Sequence, residues 1–114
     1  MAARVETMSE FSLHELERRI EERARASADA SYTRQLLDRG VAHCAKKLGE
    51  ESIETIMAAV GESRERVIGE AADLLYHLLV VLKARGISLA EVESALNARS
   101  MQSGLAEKSS RAGR

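Results

Sequence analysis

The 114-residue chain has no proline and no tryptophan, and its aromatic side chains are one Phe and two Tyr. Without proline nothing forces long helices to break, and so few aromatic residues disfavour a strand-rich fold. There is one cysteine, Cys44. It excludes an internal disulfide framework and fits a reducing compartment. Long apolar runs are also missing. The longest, Leu74 to Leu82, contains His77 and falls far short of the roughly 20 residues a membrane span needs. The first eleven residues lack the apolar stretch of a secretion signal. Net charge is −1, so no global field draws nucleic acid or an anionic membrane. These absences lead us to expect a cytoplasmic protein with neither a nucleic-acid nor a membrane partner.

What remains is 45% hydrophobic and 31% charged, the composition of a single globular domain. Residues 1–10 read as an N-terminal extension and 100–114 as a small, polar, basic tail. Between them the pattern predicts an all-α bundle of about five helices. Ser12 and Glu15 form a capping box, with Phe11 and Leu16 as its hydrophobic staple, opening a helix from Leu13 to about Ala28. Its stripe Leu13, Leu16, Ile20 is narrow. Ser31 caps a short helix that Gly40 ends. A third helix runs from about Val41 to Val60, and the Gly61-Glu-Ser63 break starts a fourth that stops at Gly86. Ser88 and Glu91 form a second capping box, with Ile87 and Val92 as the staple. It opens a fifth helix, expected to turn Val92, Ala95 and Leu96 inward. Gly49, inside helix three, costs about 1 kcal/mol relative to Ala, which suggests that another helix approaches closely there.

Two carboxylate pairs stand out. Glu51 and Glu54 lie on helix three, Glu70 and Asp73 on helix four, each spaced i, i+3, with Glu50 beside the first pair. Residues at that spacing share a helix face, so two helices folded back on each other can bring the pairs together. At about 100° per residue, Lys47, Glu50, Glu51 and Glu54 fall in one arc. Gly49, Ile53, Ile56 and Val60 fall roughly opposite. Helix four is apolar on most sides except for the stripe Glu70, Asp73, His77. A chain this short can hardly wrap such a helix alone, so a homodimer is expected.

Clustered carboxylates repel unless a cation sits among them, and oxygen-only ligands suit Mg²⁺ or Mn²⁺. The plainer alternative is pairing with Lys46, Lys47, Arg64 or Arg66, and spacing alone leaves both readings open. A carboxylate-bridged di-iron site wants Glu-x-x-His on two helices, where this chain offers Glu-x-x-Asp. His77 and Tyr76 could stand behind the ligands or simply be core. His43 and Cys44 lack a partner set for zinc, and Cys44 reads as core. Lys47 could hold a phosphate or neutralise the acids.

The order EExxE then ExxD, Glu50 to Asp73, resembles the MazG-like all-α nucleoside triphosphate pyrophosphohydrolases. Within that group three stretches resemble the phosphoribosyl-ATP pyrophosphatase family. They are SYTRQLLDRG at Ser31 to Gly40, KKLGEESIET with EAADLLYHLLVVL, and SGLAEKSSR near the C-terminus. Ser52 stands where that family more usually has alanine, a change expected to be harmless. The resemblance implies a dimeric helical bundle with its site near the subunit boundary. It implies hydrolysis of 1-(5-phosphoribosyl)-ATP to 1-(5-phosphoribosyl)-AMP and pyrophosphate, the second step of histidine biosynthesis. It places Mg²⁺, with Mn²⁺ as a substitute, on Glu51, Glu54, Glu70 and Asp73. Glu50 becomes a further ligand or the base that orients water. Lys47, Lys108 and Arg111 become substrate contacts. The tail would hold the 5′-phosphate of the second ribose, although its composition alone reads as disorder. Two other functions fit the same acids. One is a pyrophosphohydrolase of other nucleoside triphosphates, which the tail motif argues against. The other is a non-catalytic helical dimerisation module, which divalent-cation binding would exclude.

Overall fold

The computed structural model describes residues 10–101. Lys108 and Arg111 therefore lie outside the described residues. Five helices follow in order: α1 Leu13–Ala24, α2 Tyr32–Asp38, α3 Val41–Gly61, α4 Arg64–Ala84 and α5 Leu89–Ser100. The all-α expectation holds, and the expected breaks fall where the turn and cap residues put them.

Serines begin four of the five helices. The Oγ atoms of Ser12, Ser31, Ser63 and Ser88 each accept the backbone N–H three residues on, satisfying a donor that the helix leaves open. At Ser88 the box is complete, because Glu91 accepts the Ser88 N–H at 3.0 Å. At Ser12 only the forward bond forms. The Glu15 carboxylate turns instead to Arg18 and Arg19. The end of α4 is a Schellman turn. Gly86 takes φ +69°, its N–H reaches the Lys83 carbonyl, and the Ile87 N–H reaches that of Leu82. Helix α1 stops at Ala24, four residues before the expected end. The Arg34 guanidinium donates to the Ala24 and Ala26 carbonyls, and the Ser31 hydroxyl to that of Arg23. These long-range donors occupy carbonyls that another turn of helix would have used.

The core lies where α1, α2, the start of α3 and the end of α4 meet. Ile20, Leu36, Cys44, Leu79, Val80 and Leu89 are buried together there. Glu17 fastens α5 to this junction by accepting the Leu89 N–H at 2.7 Å, and Lys83 pairs with Glu21 at 2.6 Å. Beyond the core, α3 and α4 continue as an antiparallel hairpin, the most extensive helix–helix contact among the described residues. The radius of gyration is 16.9 Å, where a compact 100-residue domain has about 13 Å.

Two sequence expectations fail here. A side chain built at Gly49 would meet open space, so no helix among the described residues approaches it. Gly49 shares its arc with Ile53, Ile56 and Val60, which are 63%, 60% and 84% exposed. That whole arc points away from α4, because the acid arc takes the contact. Of the three α5 residues expected to turn inward, only Val92 is partly covered, and Ala95 and Leu96 are exposed. A short helix held through its first turn buries that turn and leaves the rest in solvent.

Candidate active site

The site is built from two facing stripes. On α3, Lys47, Glu51 and Glu54 recur at i, i+4, i+7. On α4, Arg66, Glu70, Asp73 and His77 recur at i, i+4, i+7, i+11. The hairpin runs them antiparallel. Thr55 pins the register, since its hydroxyl lies 2.8 Å from the Glu51 carbonyl and 3.1 Å from that of Glu70 on the opposite helix.

Glu51, Glu70 and Asp73 come together, each offering a carboxylate oxygen within 4.8 Å of the others. Glu70 is buried, Glu51 half-buried and Asp73 exposed, so the cluster opens to solvent on one side. Burial first, then the charges of Asp73 and Glu70, push the Glu51 carboxyl above its usual range. Glu54 is exposed and stands outside this triad, though its charge is felt at both Glu51 and Arg66. Glu50 is also apart. It pairs with Lys47 at 3.1 Å, which holds the Glu50 carboxyl below the usual range and the ammonium above its own.

The triad fits a hard divalent cation. Its donors are all carboxylate oxygens, the ligand type that Mg²⁺ and Mn²⁺ take. Charge repulsion among the acids is the cost of the arrangement without a cation.

One layer further along the hairpin, His77 faces the Lys47 end. It is 6% exposed, and burial and the Lys47 charge push its imidazole toward the neutral form. Its Nδ1 is buried without a hydrogen-bond partner. The His77 ring meets Tyr76 and Tyr32 edge to face, at centroid distances of 5.0 and 6.4 Å. The Tyr76 hydroxyl is 2.6 Å from Thr33 Oγ1. The Ser31–Tyr32–Thr33 stretch and the Tyr76–His77 stretch, far apart in sequence, therefore meet beside the acids. Ser52 donates to the carbonyl of Leu48 in its own helix.

The sequence alone did not single out Thr55 or resolve Arg66 from three other basic residues. Thr55 stands at i+4 from Glu51, but a threonine there reads equally well as a helix-surface residue. Arg66 stands at i−4 from Glu70, and the structure makes it that residue's ion-pair partner at 2.9 Å.

Acids presented by two antiparallel helices, with no strand among the described residues, are the arrangement that the resemblance to the all-α pyrophosphohydrolases implies. The chain belongs to the phosphoribosyl-ATP pyrophosphohydrolase family, whose pattern it matches over residues 13–100. It is 58% identical over 104 residues to phosphoribosyl-ATP pyrophosphatase 1 of Bradyrhizobium diazoefficiens, covering 91% of this chain and 98% of that protein. It is 54% identical over 104 residues to the phosphoribosyl-ATP pyrophosphatase of Nitrobacter winogradskyi, covering 91% and 90%. With the protein of the same name from Azorhizobium caulinodans it shares 56% over 100 residues, 88% of this chain and 92% of that one.

Proposed function

We infer that this protein hydrolyses 1-(5-phosphoribosyl)-ATP to 1-(5-phosphoribosyl)-AMP and pyrophosphate, a step of histidine biosynthesis. The observation that carries the reading is the convergence of Glu51, Glu70 and Asp73 in a chain matching this family across its helical region. Glu51, Glu70 and Asp73, with Glu54 at the rim, would hold Mg²⁺ or, in its place, Mn²⁺. Such a cation supplies charge that offsets the triphosphate and the leaving pyrophosphate. Glu50 is exposed and ion-paired with Lys47, which weakens it as a base, so its proposed part is to orient an attacking water. Lys47, held between Glu50 and the field of Glu51, is placed to meet a phosphate oxygen as substrate enters. Lys108 and Arg111 remain proposed contacts for the distal 5′-phosphate.

The protein is further proposed to work as a homodimer. Ile53, Ile56, Met57 and Val60 of α3 and Ile68, Leu75 and Leu78 of α4 are large apolar side chains left exposed on the hairpin. Exposed apolar surface beyond scattered single residues marks an interaction site. No helix among the described residues is long and apolar enough to cross a membrane.

The deciding experiment supplies phosphoribosyl-ATP with Mg²⁺ and follows pyrophosphate release, with plain ATP as the competing substrate. Release from phosphoribosyl-ATP that stops in chelator is the expected result. Preferential cleavage of ATP would move the assignment to another nucleotide, and no cleavage of either would leave a binding module.

A further inference from the structure

Among the described residues, Arg66 makes the only ion pair to a member of the acid triad. Its guanidinium lies between two carboxylates, with Nη2 2.9 Å from Glu70 Oε2 and Nε 3.0 Å from Glu62 Oε1. It also sits in the field of Glu54. The Arg66 side chain is 56% exposed and that of Glu70 is 10%, so a mobile charge rests on a fixed one. Exposed helix pairs usually contribute little, but here one partner is a buried carboxylate with two like charges beside it. Glu70 needs a positive neighbour when no cation is present, and Arg66 supplies it. A divalent cation among the same oxygens removes that need and repels the guanidinium. Released there, Arg66 stays beside the triad, and its planar fork matches phosphate oxygens in a bidentate fashion. Lys47 lies at the other end of the acid stripe, so a triphosphate lying across the triad would meet a cation at each end.

We propose that Arg66 is a handover residue: it partners Glu70 in the metal-free protein and turns to the substrate's polyphosphate once a divalent cation takes Glu70. The proposal rests on the reading of the acids as a cation site. It gives this chain a phosphate contact carried by the ordered hairpin, separate from the tail.

The test titrates Mn²⁺ alone into chelator-stripped protein by electron paramagnetic resonance, then inorganic pyrophosphate into the Mn²⁺-loaded protein. In Arg66→Gln the competitor for Glu70 is gone, so Mn²⁺ should bind at least about five-fold tighter. Pyrophosphate should bind at least about five-fold weaker. The opposite signs matter, because a merely loosened site would weaken both. Arg66→Lys keeps the charge without the fork. It should leave Mn²⁺ affinity near wild type and still weaken pyrophosphate. Unchanged or weaker Mn²⁺ binding in Arg66→Gln, or unchanged pyrophosphate binding, overturns the handover. Wild-type protein that takes up no Mn²⁺ overturns the cation site itself, an outcome distinct from either.

Discussion

The two long faces of the α3–α4 hairpin are opposites in composition and in cover. One carries Lys47, Glu51, Glu54, Arg66, Glu70 and Asp73, with Glu70 buried between the helices and Glu54, Arg66 and Asp73 reaching solvent. The other carries Ile53, Ile56, Val60 and Ile68 and faces solvent. A water-soluble helix pair ordinarily packs its apolar face inward and wets its charges. Here that arrangement is inverted within one chain. The inversion is stable only if each face has a partner from elsewhere. The proposed cation would answer the acid face, and the proposed second copy would answer the other. The comparison teaches that site and assembly share two helices but use separate side chains, so each can be broken while the other stands.

The largest expected effect is on the acid face. Glu70→Gln or Asp73→Asn should each lower kcat/KM by roughly a hundred-fold or more, since loss of groups that merely support a ligand already costs 10- to 100-fold. The oligomeric state should not change, and Mn²⁺ titration reads the lost affinity directly. Unaltered turnover in both variants would sink the acid-face reading.

The apolar face should respond in the complementary way. Ile53→Asp or Ile68→Asp puts a charge into the proposed contact, where a central residue is typically worth about 2–4 kcal/mol. Sedimentation at micromolar concentration should show the variant shifted to monomer while the helices persist by circular dichroism. A wild-type monomer under the same conditions ends the assembly proposal.

A third test asks whether the tail adds a contact that the hairpin lacks. Truncation after Gln102 should raise KM for phosphoribosyl-ATP about ten-fold, the loss of one charge-assisted bond. Mn²⁺ affinity should not move. Arg111→Ala should show part of the same rise, and a truncated enzyme with wild-type kcat/KM would remove the tail from the substrate site.

The smallest effect concerns protons. Burial and the neighbouring acids raise the Glu51 carboxyl in the folded chain, so the fold binds that proton more tightly than the unfolded chain does. The stabilisation from this proton is full below the unfolded pKa and is lost as pH rises through the folded one. Metal-free protein should therefore melt at lower temperature as pH climbs out of the ordinary carboxylate range. Glu51→Gln should flatten that slope, and saturating Mg²⁺ should reverse it. A wild-type melting temperature that rises over the same window without metal would contradict the direction.

Much of this was legible in the sequence because it is local. Serines at 12, 31, 63 and 88 cap helices through bonds three residues long. Periodicity placed the acids of each helix on one face, and a two-residue break forced those faces together. Cys44 reads as core and is buried. Other features depended on distance in space rather than in sequence. Arg34 reaches back to end α1 early, and no local pattern announces it. Four basic residues were equal candidates to neutralise the acids, and the pairs that form are local ones that spacing alone did not rank: Arg66 with Glu70 at i,i+4 and Lys47 with Glu50 at i,i+3. Gly49 reads as a helix contact only if its stripe faces inward, and the acid face had taken that side. Leu96 is apolar enough to expect burial, but among the described residues none covers it.

Cys44 has a consequence for how this protein can be watched. Its thiol is 1% exposed and donates to the Leu36 carbonyl at 3.3 Å, and burial pushes its pKa up. The reactive thiolate is thus suppressed by both protonation and access. A thiol reagent should leave the folded protein unlabelled and modify it only when the junction of α2, α3 and α4 parts. Because no second cysteine competes, the labelling rate becomes a clock for openings of that one region. Run with and without Mg²⁺, the clock would report whether occupying the far half of the hairpin is felt at its root.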